Sequence, residues 1–188
     1  MPLPSFSPID SPRLTLRSVA PGDLPDLMEV NGDPQVTQFL PYATWQSLQD
    51  AEAWLARMQT LGASGASEQL VLARRTDSKV IGTMLLFKYD EGSSRVELGY
   101  ALGRAHWGQG LMREAVVAAC THAFASAGIR RIEAEVNPDN RASCGLLGAV
   151  GFVLEGRLRK RWVAKGTAYD TQIYGCLAED WRAGRGPN

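Results

Sequence analysis

The chain predicts a mixed α/β fold, and three observations carry that expectation. Val96, Leu98, Tyr100 and Leu102 alternate with less apolar residues, the period of a strand with one buried face. Ala51, Trp54, Leu55 and Met58 recur three and four apart, the period of a helix packed along one side. Between the two kinds of segment, Trp107-Gly108-Gln109-Gly110 leads an apolar strand through a glycine turn straight into a long helix. A strand–glycine turn–helix–strand unit at the centre of the chain belongs to mixed α/β architecture.

The elements follow in order. Residues 1–12 carry four prolines and are expected as a flexible arm, leaving 13–188 as a single domain. Leu14 and Leu16 alternate as a first strand. Pro21-Gly22-Asp23 opens a helix carrying Leu24, Leu27, Met28 and Val30, and a helical region interrupted at Pro34 and Pro41 follows. Ser47 is an N-cap for the helix through Met58, which ends near Gly62. Leu70–Ala73 and Val80–Phe87 are strands, the second apolar at nearly every position and so covered on both faces. The helix from Gly110 to about Ala127 stops at Gly128. Ile132, Ala134 and Val136 form the next strand, ended at Asn137-Pro138. A short helix from about Ala142 to Val150 and a hairpin (152–163, 168–177) complete the chain.

A length of 188 residues with 45% hydrophobic content is enough to bury a sizeable core. Twenty basic and twenty acidic residues balance to zero net charge, so neither nucleic acid nor an anionic membrane is expected as partner. The N-terminus shows no basic region followed by an apolar run, and no apolar stretch is long enough to span a bilayer. Three cysteines (Cys120, Cys144, Cys176) without paired spacing point to a reducing compartment, and the expected location is cytoplasmic.

The glycine turn is the first chemical signal. The first turn of a helix has N–H groups with no intrahelical partner, and the macrodipole favours negative charge there. Glycines let a diphosphate approach the backbone without meeting a Cβ. This predicts a phosphate-bearing ligand held by main chain rather than by a lysine or a metal. The competing reading is a tight strand-to-helix connection. A P-loop is excluded because no Gly-Lys-Ser/Thr occurs, and Gly103, Gly108 and Gly110 do not have dinucleotide-fold spacing.

The segment from Glu97 to Gly151, with Asn137-Pro-Asp-Asn140-Arg-Ala-Ser143 and Gly148-Ala-Val-Gly151-Phe152, resembles the GNAT acyltransferases. It is most similar to their RimJ/RimL-type branch, which acetylates protein N-termini. Leu14-Thr-Leu-Arg17 and Glu155-Gly-Arg-Leu-Arg159 extend the resemblance over nearly the whole chain, with the greatest specificity between residues 97 and 159. Ala105 departs from the pattern, standing where the family often has Gln or Arg. Any side-chain contact from that place is absent, while main-chain contacts survive.

The resemblance implies a GNAT fold, a central, mostly antiparallel, twisted sheet flanked by helices, with acetyl-CoA as co-substrate and no metal. On this basis the diphosphate would lie on the amides of Trp107, Gly108, Gln109, Gly110, Leu111 and Met112. The pantetheine arm would run beside Leu98, Tyr100 and Leu102, where a strand N–H would polarise the thioester carbonyl. Asn140 and Ser143 would contact the pantetheine and the departing thiolate, with Ser143 supplying a proton or hydrogen bond. Read alone, Asn140 and Ser143 are equally a turn residue and a helix cap. Cys144 invites a nucleophilic role, but no nearby histidine in sequence activates it, and a packed side chain is the better reading.

The acceptor amine must lose its proton. An α-amine has a reference pKa near 8 and lysine near 10.4, a difference of about 3 kcal/mol at neutral pH. Glu97 is the expected base, with Glu133 and Glu135 as rivals; each is also readable as a charge alternating outward along a strand. The basic run Arg157, Arg159, Lys160, Arg161 and Lys165 reads as a solvated face, or as a rim for an acidic or peptide substrate or for the 3′-phosphate of CoA. Trp45 and Trp54 line an acceptor mouth or pack in the core, packing being favoured for Trp54.

The expected function is acetyl transfer from acetyl-CoA to a primary amine, a protein or peptide N-terminal α-amine by resemblance, through direct attack in a ternary complex. The alternatives are acetylation of a small amine (amino acid, polyamine or aminoglycoside) and a non-catalytic CoA-binding module. A cysteine or serine hydrolase lacks a histidine partner in any recognisable arrangement. The oligomeric state is left open, with a homodimer among the alternatives.

Overall fold

Eight strands form one sheet in a computed structural model that describes residues 2–181. They are β1 (Ile9–Asp10), β2 (Leu14–Ser18), β3 (Glu68–Arg74), β4 (Val80–Asp90), β5 (Arg95–Leu102), β6 (Arg131–Val136), β7 (Val153–Ala164) and β8 (Thr167–Leu177). The spatial order is β1-β2-β3-β4-β5-β6-β8-β7, and only β5 and β6 pair in parallel. The six helices are α1 (Leu24–Asn31), α2 (Pro34–Thr37), α3 (Leu48–Ala63), α4 (Leu111–Ala125), α5 (Arg141–Ala149) and α6 (Ala178–Asp180). Residues 182–188 of the expected domain lie outside the described residues.

The parallel pair follows from α4, because strands joined by a helical crossover run the same way. Its register covers only Arg95–Arg131, Val96–Ile132 and Glu97–Glu133. Beyond Glu97, β5 stays paired to β4 as far as Leu102, while β6 pairs to β8 as far as Val136. The two strands therefore part, and the second half of β5 keeps a backbone edge that no strand covers.

The two faces of the sheet bury different helices. Leu14, Leu16, Leu72, Met84, Val96 and Ile132 pack with Ala115, Val116 and Ala119 of α4 and Leu147 of α5. On the opposite face, Val71, Ala73 and Val80 pack with Leu24 and Leu27 of α1, Trp54 and Leu55 of α3, and Trp45. At the start of α3, the Ser47 N–H donates to Asp50 Oδ2 at 3.0 Å, so the expected cap forms with the carboxylate reaching back. Pro34 begins α2 instead of interrupting a helix, since Asp33 caps that turn by accepting from the Gln35 N–H. No helix among the described residues is long and apolar enough to cross a membrane.

Residues 2–12 pack against the sheet, where four prolines predict a loose arm. Phe6 is fully buried, its N–H donates to Glu68 Oε2 at 2.7 Å, and its ring lies 5.2 Å from that of His122. Ile9 and Asp10 pair with Leu16 and Thr15, adding an edge strand. Proline removes backbone donors, but it does not stop neighbouring apolar side chains from being buried. Phe6→Ala should cost about 3–5 kcal/mol of unfolding free energy. A denaturant titration checks this, and a loss under 1 kcal/mol would show the segment to be dispensable.

Candidate active site

The glycine turn has the backbone that its sequence requires. Gly108 and Gly110 sit at φ +70° and +73°, in the left-handed region that side chains disfavour. Gly110 is the N-cap of α4 and brings no side chain to the first-turn N–H groups. The Trp107 indole donates to the Leu102 carbonyl at 2.7 Å, fixing the chain between strand and turn.

The turn opens onto a cavity of about 660 Å³, within the range of small-ligand sites. Of the residues expected to hold the cofactor, Tyr100, Leu102, Trp107, Gly108, Gly110, Leu111, Met112, Asn140 and Ser143 line it together. Two do not. Leu98 is buried in the core shared with α4, and Gln109 turns its amide to the Ala105 carbonyl at 3.0 Å and its own carbonyl to Arg13. Arg113 and Arg141 add positive charge to the lining.

Within this cavity, the Tyr100 hydroxyl and Ser143 Oγ are 2.8 Å apart. Asn140 is the cap of α5, its Oδ1 accepting from the Ser143 N–H at 3.2 Å. The Ser143 hydroxyl is therefore not engaged in capping. Burial pushes the Tyr100 phenol well above its ordinary pKa, so it stays neutral and able to donate. Cys144 directs its thiol to Gln172 Oε1 at 3.1 Å, the packed side chain expected rather than an activated nucleophile.

Glu97 lies elsewhere. Alternation along β5 puts it on the sheet face opposite Val96 and Leu98, outside the cavity lining. It is 4% exposed, and its Oε2 accepts a hydrogen bond from Lys88 Nζ at 2.7 Å. Burial raises its pKa, and the hydrogen bond from Lys88 only partly offsets this. Lys88 itself sits at a bulge in β4 with φ +52°, its ammonium 5.7 Å from the centre of the Trp162 ring and 3.8 Å from Glu135. Glu133 has the opposite balance. Burial pushes it up, but hydrogen bonds from Arg131 (2.7 Å) and Arg95 (2.6 Å) outweigh that and hold it below its ordinary value. Glu135 accepts from Arg161 and from the Trp162 indole.

Trp45 and Trp54 are both buried with ring centres 5.5 Å apart, so neither lines a mouth. The basic hairpin is largely tied down: Arg157 pairs with Asp170, Arg161 with Glu135, and Lys165 reaches the Thr37 carbonyl of α2 at 2.6 Å. Sequence reasoning missed the Tyr100 side chain, Lys88 and Arg13. Tyr100 was findable, because its period-2 place beside Leu98 and Leu102 aims it at the α4 side. Arg13 carries no such signal, since it acts through Glu114, 101 positions away, and Lys88 reaches Glu97 only through the bulge that breaks the alternation of β4.

A helix-capping glycine turn beside two parted parallel strands in a mixed α/β sheet is the arrangement of an acyltransferase fold. The acetyltransferase (GNAT) domain matches residues 13–153, and the chain belongs to the GNAT N-acetyltransferase family, in its RimJ/RimL-like branch. It is 32% identical over 169 residues to the uncharacterized N-acetyltransferase p20 of Bacillus licheniformis, covering 90% of this chain and 95% of that one. It is 28% identical over 150 residues to the [ribosomal protein uS5]-alanine N-acetyltransferase of Escherichia coli, covering 75% and 77%. Mycobacterium smegmatis RimJ, solved in complex with CoA-disulfide, superposes with a TM-score of 0.81 at 21% identity, covering 96% of this chain and 95% of that one.

Proposed function

We propose that this N-acetyltransferase uses acetyl-CoA and that its acceptor is a protein or peptide N-terminal α-amine, attacked directly in a ternary complex. The observation that carries the donor is the convergence on one cavity of the glycine turn, the uncovered half of β5 and the Tyr100–Ser143 hydroxyl pair. The absence of a Cβ at Gly108 and Gly110 leaves room for a diphosphate against the backbone, which supports this donor. The acceptor rests on the Escherichia coli relative, a [ribosomal protein uS5]-alanine N-acetyltransferase, and on the lower cost of deprotonating an α-amine than a lysine.

Acetyl-CoA supplies an activated acyl group, and the protein supplies placement and charge. The amides of the glycine turn and of Leu111 and Met112 take the diphosphate. The β5 edge beyond Glu97 takes the pantetheine as an added strand would and offers an N–H to the thioester carbonyl. Ser143 donates a hydrogen bond to the departing sulfur, and Tyr100, held neutral by burial, orients the Ser143 hydroxyl. Glu97 removes the proton from the acceptor amine, through a water where the reach requires it.

Ser143→Ala should lower kcat by roughly a hundredfold, the cost of removing one donor to developing negative charge, with acetyl-CoA affinity changed less than threefold. Equal loss of rate and affinity would make Ser143 a packing residue. The test of the whole reading is thiol release from acetyl-CoA with a panel of peptides and small amines, followed by mass spectrometry of the acceptors. Acetylated peptide α-amines support it. Acetylated amino acids, polyamines or aminoglycosides alone would overturn the acceptor class. Tight acetyl-CoA binding without any product would favour a non-catalytic module.

A further inference from the structure

The N-terminal strap contributes to the site from outside it. Arg13, between β1 and β2, holds the start of α4 through three contacts. Its Nη1 donates to the Gln109 carbonyl at 3.0 Å, its Nε to Glu114 Oε2 at 2.6 Å, and its N–H to Glu114 Oε1 at 2.7 Å. Ser11 Oγ donates to the same Glu114 oxygen at 2.7 Å. Arg75 fixes the strap in turn, with its N–H on the Arg13 carbonyl and its Nη1 on the Ser11 carbonyl, each at 2.9 Å.

Two consequences follow for the glycine turn. A trans peptide is planar, so its C=O and N–H point in opposite directions. Anchoring the Gln109 carbonyl on the strap side therefore turns the Gly110 N–H away from the strap. Gly110 has no side chain to resist a flip of this peptide, and Arg13 supplies the restraint. Electrostatics adds the second consequence. Glu114 places a carboxylate in the first turn of α4, where it would repel a bound diphosphate, and the Arg13 guanidinium neutralises it.

We propose that Arg13 is a positioning residue for the co-substrate, orienting the Gln109–Gly110 peptide and cancelling the charge of Glu114. The inference rests on the reading that the turn holds the diphosphate of CoA. It predicts an asymmetry that a merely structural ion pair would not show. Arg13→Gln and Glu114→Gln break the same pair, yet only the first should weaken binding. Arg13→Gln leaves the Glu114 carboxylate without its counter-charge and frees the peptide. Glu114→Gln keeps an acceptor for Ser11 and the Arg13 N–H, gives up the bond from Arg13 Nε, and leaves the Nη1 bond to the Gln109 carbonyl.

The experiment is calorimetric titration of wild type and both variants with CoA and with dephospho-CoA, together with steady-state kinetics. Arg13→Gln should weaken both ligands about tenfold and raise the KM for acetyl-CoA to match, with kcat within twofold. Glu114→Gln should bind as tightly as wild type or more tightly, and the double variant should recover most of the Arg13→Gln loss. Equal losses in the two single variants, or unchanged affinity in Arg13→Gln, would overturn the inference. A loss for CoA that vanishes for dephospho-CoA would also overturn it, since Arg13 would then serve the 3′-phosphate. Failure of wild type to bind CoA would instead remove the underlying assignment of the turn.

Discussion

Gly110→Asp should abolish measurable acetyl-CoA binding while leaving the protein folded. The backbone at 110 is left-handed, and aspartate tolerates that region better than most residues, at a cost of order 1 kcal/mol. A Cβ there would lie 3.7 Å from Arg13 Nη2, an ordinary contact, so sterics do not threaten the fold. The effect is electrostatic. A carboxylate about 5 Å from one phosphate charge, at an effective dielectric near 20, costs about 3 kcal/mol, roughly a hundredfold in Kd. The diphosphate carries more than one charge, and the new carboxylate also competes for the guanidinium that anchors the Gln109 carbonyl. Gly110→Asn, neutral and nearly isosteric, should keep affinity within about tenfold and so separates charge from backbone strain. Calorimetry with acetyl-CoA measures both variants. Unchanged affinity in Gly110→Asp would remove the glycine turn from the site.

That prediction could be framed from sequence because a glycine turn opening a helix is a local feature. Strand β5 and helices α3 and α4 were equally legible, since each carries its own period and stop signal within about fifteen residues. The parting of β5 from β6 was not. It depends on β5 following β4 while β6 follows β8 on its far edge, and no residue on either strand announces that. The pairing of Tyr100 with Ser143 spans 43 positions, so sequence offered the serine with a role and the tyrosine only as a strand residue. Phe6 and Ile9 were hidden by the prolines around them, because composition counts turn formers and overlooks two apolar anchors. Trp45 was misplaced toward a mouth for the reverse reason. A large aromatic between helices is read as available until Trp54 and Val71 are found packed with it.

Glu97→Gln should lower kcat by about 10²–10⁴-fold if this carboxylate takes the proton of the acceptor, with acetyl-CoA affinity unchanged because Glu97 lies outside the donor cavity. Its environment makes the pH dependence specific. Burial raises the Glu97 pKa and the Lys88 contact lowers it by less, so the acid limb of kcat/KM should fall above the ordinary carboxylate value. Lys88→Met removes the lowering contribution and should move that limb further toward alkaline pH, a shift that a misfolded variant would not produce. Stability should run the other way. A pKa raised in the folded state means the native protein holds this proton more tightly than the unfolded chain does. Its stabilising contribution is present below the unfolded pKa and is lost as pH rises through the folded one. At pH 8 the ionised Glu97 is therefore a cost, and the neutral glutamine removes it. Glu97→Gln should show a Tm equal to or above wild type at that pH together with its loss of turnover. Full activity with an unshifted acid limb would move the base away from Glu97. Glu133 is a poor substitute, because two guanidiniums already occupy its oxygens and hold it ionised. A carboxylate that is buried, weakly compensated and costly to keep charged is better suited to accepting a proton than one already satisfied by its partners.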